Sequence, residues 1–225
     1  MAQRKVFSVG TEECPVRTHI FTFPWEPGMS TSQRRKSAQN LQKEFHKYCD
    51  QELMEISSAG EVGSLGYKLS AFNLLTKTIL SDEITTVEKV YQGSKIVLIN
   101  GEEVILNDLF YCKDSLTAKK DERLKNPIVG FKLCKLEYRG KPRVFYNWLY
   151  INSLVRFNKE LFDQLVASRC LNFCDTQAKL TVDACQAEAC ALLMYMGIHG
   201  LDYTSLYEIE KVMRVYMNDN EQLSL

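Results

Sequence analysis

The sequence predicts an α+β fold, rich in helix, with its strands gathered in the first two-thirds of the chain. Three observations predict it. Short β-branched or alternating runs (QRKVFSV, RTHIFTF, IVGFKLCKLEY) are punctuated by turn residues, as strands are. Longer stretches such as VFYNWLYINSLVRF and CQAEACALLMYM have the length and spacing of helices. The composition, 45% hydrophobic and 25% charged over 225 residues, is that of a chain able to bury a sizeable core.

Taken in order, residues 3–9 and 17–23 read as two strands around a polar turn that holds Pro15. PWEPG, 24–28, breaks the chain, and Ser30 or Thr31 can cap a helix over 32–49 whose mostly polar positions place it on the surface. ELMEISS, 52–58, has strand character. The three glycines of AGEVGSLG, 59–66, mark an internal boundary. We therefore divide the chain into an N-terminal strand and helix extension, residues 1–60, packed on a main domain, residues 61–225.

TTVEKVYQGSK, Thr85–Lys95, carries the S/T-x-x-E spacing of a capping box between Thr85 and Glu88, so a helix is expected to start there. At about 100° per residue, Val87, Val90, Tyr91 and Ser94 share one arc. Glu88, Gln92 and Lys95 share a neighbouring polar stripe, since i, i+4 and i+7 stack. Gly93 costs about 1 kcal/mol inside a helix and invites close approach by a ligand or another backbone. On spacing alone, the simpler reading of the stripe is a solvated face.

Asn100-Gly101 between apolar flanks signals a hairpin; a helix ending near Ile99, with Gly101 past its end, competes with it. Residues 115–125 form a charged surface segment and 128–138 a strand, followed by a turn at Arg139–Pro142. The most apolar helix is expected at 144–157, with others at 159–168, 184–197 and 203–217.

Lys+Arg and Asp+Glu both number 28. A strong basic excess, the mark of a protein that coats nucleic acid, is absent, so any such contact is local. Eight cysteines form no C-x-x-C pair, and there are three histidines. Cys170, Cys174, Cys185 and Cys190 are a weak metal set; free thiols in a reducing cytosol are the simpler account. No metal and no cofactor is expected. The first residues lack an apolar signal core, and no run approaches the roughly 20 apolar residues of a membrane span. A cytoplasmic protein without membrane contact is the expectation. His46, on the polar helix, and His199, at a helix end, make poor catalysts.

KLSAFNL (Lys68–Leu74) followed by TTVEKVYQGSK resembles the N-terminal signature of the NADAR family, approximately L-S-N-F and then S-x-E-H-Y-x-Q-A-x-K. Ser70 and Phe72 match its Ser and Phe; Glu88, Gln92 and Lys95 match its Glu, Gln and Lys. Ala71, Lys89 and Val90 stand where the motif has Asn, His and Tyr. AKKDERLK resembles the A-x-x-x-G-R segment, with Arg123 at its Arg, and CQAEACALLMYM resembles the closing helix, with Gln186 at its Asn. The resemblance covers about 64–197. FYNWLYINSL and KDERLK look closest to NADAR antitoxins encoded beside DarT-type toxins, and residues 1–60 look particular to that branch.

The resemblance implies a single NADAR-like domain that cleaves an N-glycosidic bond. In this branch it implies removal of ADP-ribose from guanine in DNA, with ADP-ribosylated DNA, ADP-ribose and a DarT-type toxin as partners. Such cleavage passes through an oxocarbenium-like state and needs an anion near the developing charge and a proton for the leaving base. Glu88 is the expected anion or base. Lys95 either holds a phosphate or the leaving group, or attacks C1″ as a neutral amine to form a Schiff base, which requires a lowered pKa. Asp175 or Asp183 supplies the second carboxyl group. Substrate contacts are expected from Ser70, Phe72, Gln92, Gly93, Arg123, Trp148 and Gln186. Arg123, among Lys119, Lys120 and Lys125, is the choice for phosphate; Trp148 for stacking a base; Phe145 and Leu149 for packing. Two other functions fit the same residues: a non-catalytic ADP-ribose or NAD module that neutralises a toxin by complex formation, or a hydrolase of a small riboflavin-pathway N-glycoside.

Overall fold

A computed structural model describes residues 1–28, 30–77, 83–181 and 185–222, with side chains given up to Met217. The first two strands form as expected: β1 (Ala2–Val9) and β2 (Val16–Phe23) pair antiparallel from Ala2↔Phe23 to Val9↔Val16. Helix α1 (Thr31–Phe45) starts on a capping box in which Ser30 and Gln33 exchange bonds. It ends four residues before the expected position 49 and buries Ser37, Ala38, Leu41 and Phe45. Only Met54–Glu55 of ELMEISS becomes strand, β3.

Next come α2 (Leu65–Lys68), β4 (Leu75–Lys77), β5 (Ile84–Thr86), α3 (Val87–Gly93), β6 (Lys95–Ile99) and β7 (Glu102–Ile105). The Asn100-Gly101 hairpin joins β6 and β7. Both residues have positive φ, 51° and 86°, as a two-residue primed turn requires. A 3-10 turn, Asn107–Tyr111, leads to α4 (Ser115–Lys119) and a second 3-10 turn, Glu122–Lys125. The expected strand at 128–138 is a hairpin of two, β8 (Ile128–Leu133) and β9 (Leu136–Tyr138), turning at Cys134. The remaining elements are α5 (Pro142–Phe157), α6 (Lys159–Ser168), β10 (Asn172–Cys174), α7 (Gln186–Ile198) and α8 (Leu206–Gln222).

Among the described residues three sheets result, ordered β2-β1-β10-β3, β7-β6-β8-β9 and β4-β5. In the first, β10 lies antiparallel to β1 and parallel to β3, so residues 1–60 supply three of its four strands. Phe7, Val16, Met54 and Ile56 sit in the same core as α5 and α7. Helix α7 is buried from Gln186 to Met196, the pattern of a helix enclosed on all sides. Inside this core Glu188 takes Arg143 Nε on both oxygens (2.8 and 2.7 Å) and the Tyr216 hydroxyl at 2.9 Å, tying α5, α7 and α8 together. No helix among the described residues is long and apolar enough to cross a membrane.

Gly93, expected inside a helix and open to a ligand, is the last residue of α3, and a side chain of the protein occupies the space beside it. A Cβ there would lie 2.3 Å from Phe110 Cδ1. Gly93→Ala is therefore expected to destabilise the fold by about 1–3 kcal/mol through overpacking, read as a lowered thermal midpoint. An unchanged midpoint would show that Phe110 yields freely.

Candidate active site

The expected capping box between Thr85 and Glu88 does not form. Thr85 is held in β5 opposite Thr76, so the cap moves to Thr86, whose hydroxyl accepts from Lys89 N at 3.4 Å. Glu88 is thus one position too early to fold back on the cap. Its backbone N–H instead docks on Ala71 O at 3.0 Å, and its carboxylate is turned inward, 4% exposed.

One turn later, Gln92 donates Nε2 to Glu88 Oε1 (2.9 Å) and accepts from Lys95 Nζ (2.6 Å). Lys95 is not on the helix. Ser94 caps α3, the chain turns, and Lys95 opens β6, its side chain reaching back to Gln92. The stripe exists as a buried hydrogen-bonded chain built from a helix and a strand. Burial lowers the Lys95 amine to about 8, with Glu88 pulling it up and Lys119 pushing it down. Its Nζ also lies 4.5 Å from the Tyr91 ring centroid.

The cation that meets Glu88 is Lys119, at the end of α4: Nζ is 3.5 Å from Glu88 Oε1 and 5.1 Å from the Phe72 ring centroid. A Thr86–Ser115 hydroxyl bond of 2.7 Å pins α4 against the cap of α3 and so places it. Arg123, preferred for phosphate, is engaged elsewhere. Its guanidinium gives Nε and Nη2 to Asp121 (2.8 and 3.0 Å) and Nη1 and Nη2 to Asp108 (3.1 and 2.6 Å). Those two carboxylates raise its pKa and hold its donors.

Asp175 follows β10. It keeps some accessible surface, yet it lies under enough atoms that burial, with repulsion from Glu55, pushes its carboxyl up to about 7. Backbone N–H groups of Gln177 and Ala178, and the Lys119 charge, act in the opposite direction. Glu55 accepts from Thr176 N (3.0 Å), Thr176 Oγ1 (2.7 Å) and Cys174 Sγ (3.0 Å), gripping both chain neighbours of Asp175.

Gln186, first residue of α7, binds three segments at once. It accepts from Ala71 N at 2.6 Å and donates to Ile56 O at 2.5 Å and Asp175 Oδ2 at 3.0 Å. Tyr146 is buried, and after burial the largest influences on its hydroxyl are Glu88, Cys185 and Asp175, so it stands within the field of both carboxylates. Ser70 is fully buried, and its Oγ has no hydrogen-bond partner among the described residues.

The structure therefore brings together Glu88, Gln92, Lys95, Phe72 and, through Ala71, Gln186 and Asp175. Trp148 does not stand open for stacking. Its indole N–H donates to Thr204 O at 3.1 Å and its ring leans on Phe145, centroids 5.6 Å apart. Asp183 lies outside the described residues. Lys119, Tyr146 and Glu55 were not singled out for the site by sequence: Lys119 sat unresolved in a run of cations and Tyr146 in a run of aromatics. The signal for Glu55 was an acid within an apolar strand. Chemically the cluster offers two carboxyl groups in different environments and an amine lowered to about 8, the pattern by which acid and base roles separate.

A family model described as DarT1-associated NADAR antitoxin matches residues 2–224. No curated protein matches the chain.

Proposed function

The chain belongs to the DarT1-associated NADAR antitoxins, and from that membership we propose that it is an N-glycosidic hydrolase that removes ADP-ribose from guanine in DNA, undoing the modification written by a DarT-type toxin. The observation that carries the chemistry is the buried Glu88–Gln92–Lys95 chain meeting Lys119, with Asp175 in the same field.

In this reading the bond from C1″ to the guanine nitrogen breaks with its electron pair going to the base. Asp175, which holds its proton up to about pH 7, donates that proton to the leaving nitrogen. The Glu88 carboxylate lies against the developing oxocarbenium charge, and water adds to C1″ and gives up a proton to the Asp175 carboxylate. Gln92 orients Glu88 and is itself held by Lys95. Lys119, above Phe72, is the cation for the pyrophosphate, and the unpartnered Ser70 hydroxyl meets a ribose hydroxyl. Turnover by a Schiff base would require Lys95 to be neutral, a minority form below about pH 8.

Incubating the protein with an oligonucleotide carrying one ADP-ribosylated guanine is expected to release free ADP-ribose and unmodified DNA, followed by mass spectrometry. An intact substrate after prolonged incubation would overturn the proposal.

A further inference from the structure

The turn that carries Asp175 is held by residues of the N-terminal segment. β3 runs parallel to β10 with Glu55 opposite Cys174, so Glu55 meets the chain where it leaves the sheet toward Asp175. Four donors converge on the two Glu55 oxygens: Ser57 Oγ at 2.5 Å, Thr176 Oγ1 at 2.7 Å, Thr176 N at 3.0 Å and Cys174 Sγ at 3.0 Å. Such a set suits an ionised carboxylate, which only accepts. From β1, Arg4 Nε donates to Thr176 O at 2.6 Å while its guanidinium rests 4.8 Å from the Trp25 ring centroid. Ile56 O takes the same Gln186 amide that donates to Asp175 Oδ2. Gly66 of α2 keeps β3 in place, since a Cβ there would lie 2.0 Å from Glu55 O.

Holding the turn does not require a charge. A neutral amide of the same shape could accept the three bonds that reach Glu55 Oε1, and replacing a buried ion by a neutral group of similar volume is often harmless to stability. Yet the chain places a buried anion beside a second carboxyl group. Around Asp175, the Lys119 and Arg4 charges and the N–H donors of Gln177 and Ala178 favour the ionised form. Lys5 and Lys179 border the small cavity beside it. Cys174, Cys185 and Tyr146 also lie in its field, and burial keeps all three protonated. Apart from burial itself, Glu55 is what opposes the cations.

We propose that Glu55 is a positioning residue: it fixes the turn that carries Asp175 and sets a negative charge against that acid, which makes the N-terminal segment part of the active site. The inference rests on the proposed hydrolysis for Asp175 acting as the proton donor. In that role Asp175 has to keep its proton until the leaving nitrogen takes it, and a neighbouring anion discourages early loss. Glu55 itself touches neither base nor ribose; it acts through Asp175.

The test pairs a titration with kinetics, both on the full chain. Carbon-13 NMR of the Asp and Glu carboxyl groups, with Asp175 assigned from Asp175→Asn, follows Asp175 directly. In the wild type its signal is expected to titrate near 7, and the Glu55 signal to register a second step at the same pH, as interacting sites do. Glu55→Gln is expected to move the Asp175 midpoint down toward the ordinary carboxylate range. In ADP-ribose release, that variant is expected to lose about tenfold in kcat at pH 8 for each pH unit the midpoint falls. At pH 4 its kcat should stay within about twofold of the wild type, with KM unchanged at both pH values. An Asp175 midpoint that stays put in Glu55→Gln, even with a lowered thermal midpoint, would leave Glu55 a packing residue and overturn the proposal. A kcat loss equal at pH 4 and pH 8 would do the same. Should Glu55→Gln fail to fold, absence of the second step in the wild-type Glu55 signal decides against it. Because the NMR titration involves no turnover, a moved Asp175 midpoint in a protein that releases no ADP-ribose would uphold the Glu55–Asp175 pairing and refute only the hydrolase.

Discussion

Glu88→Gln is expected to lower kcat for ADP-ribose release by about 10³-fold, within the range for loss of an essential charged group in a buried site, while the protein stays folded. The amide matches the carboxylate in volume, so the core around the Ala71 contact is not disturbed. What is lost is the negative charge that faces Lys119 at 3.5 Å and receives Gln92 at 2.9 Å. A second readout separates this from a packing defect. Glu88 is the group that raises the Lys95 pKa against burial, so its removal moves the amine further below about 8. An NMR titration of the lysine side chains detects that shift. Undiminished release of ADP-ribose, or a Lys95 titration that does not move, would refute the assignment.

Asp175→Asn is expected to cost about 10²–10⁴-fold in turnover and to raise thermal stability above neutral pH. Both follow from the carboxyl being pushed up to about 7 from an ordinary value of 3.8. As a proton donor it is active below about pH 7, so wild-type turnover falls as pH rises through that value. The amide variant should lose that limb. For stability the sign runs the same way. Between about 3.8 and 7 the folded protein retains a proton that the unfolded chain has released, so stability declines as pH rises across that window. Asparagine cannot ionise and escapes the decline, so the thermal midpoint of the variant should exceed that of the wild type at pH 8 and not at pH 4. Turnover that climbs through pH 7 toward 8 would instead favour a neutral Lys95 acting as nucleophile. A midpoint difference independent of pH would show that Asp175 titrates normally.

Much of the fold was legible because its signals are local. The Asn100-Gly101 hairpin follows from two residues tolerant of positive φ between apolar strands. Ser30 or Thr31 as a capping residue announced α1, and the apolar density of 144–157 and 184–197 announced the two helices that carry the core. The Glu88–Gln92 contact was readable for the same reason, since residues four apart on a helix face each other. Where a strand competed with a cap, local reading erred. Nothing near Thr85 in sequence reveals that it pairs with Thr76 in β5 and so cannot cap α3.

The sequence by itself determined the α+β class, the order of most elements and a polar stripe ending in Lys95. Only the tertiary structure decided which cation serves that stripe and what fills the space beside it. Lys119 and Arg123 are four residues apart in one charged run, and the choice between them depended on Asp108 and Asp121 capturing the guanidinium. Gly93 makes room for Phe110, which arrives from a separate turn. Asp175 gains its elevated titration from burial and, second, from Glu55, a strand away, and is tied to Ala71 by Gln186 of α7. The physical reason is the range of the interactions. Periodicity and capping act over one helical turn, whereas burial, desolvation and charge pairing are set by groups that only the folded chain brings together.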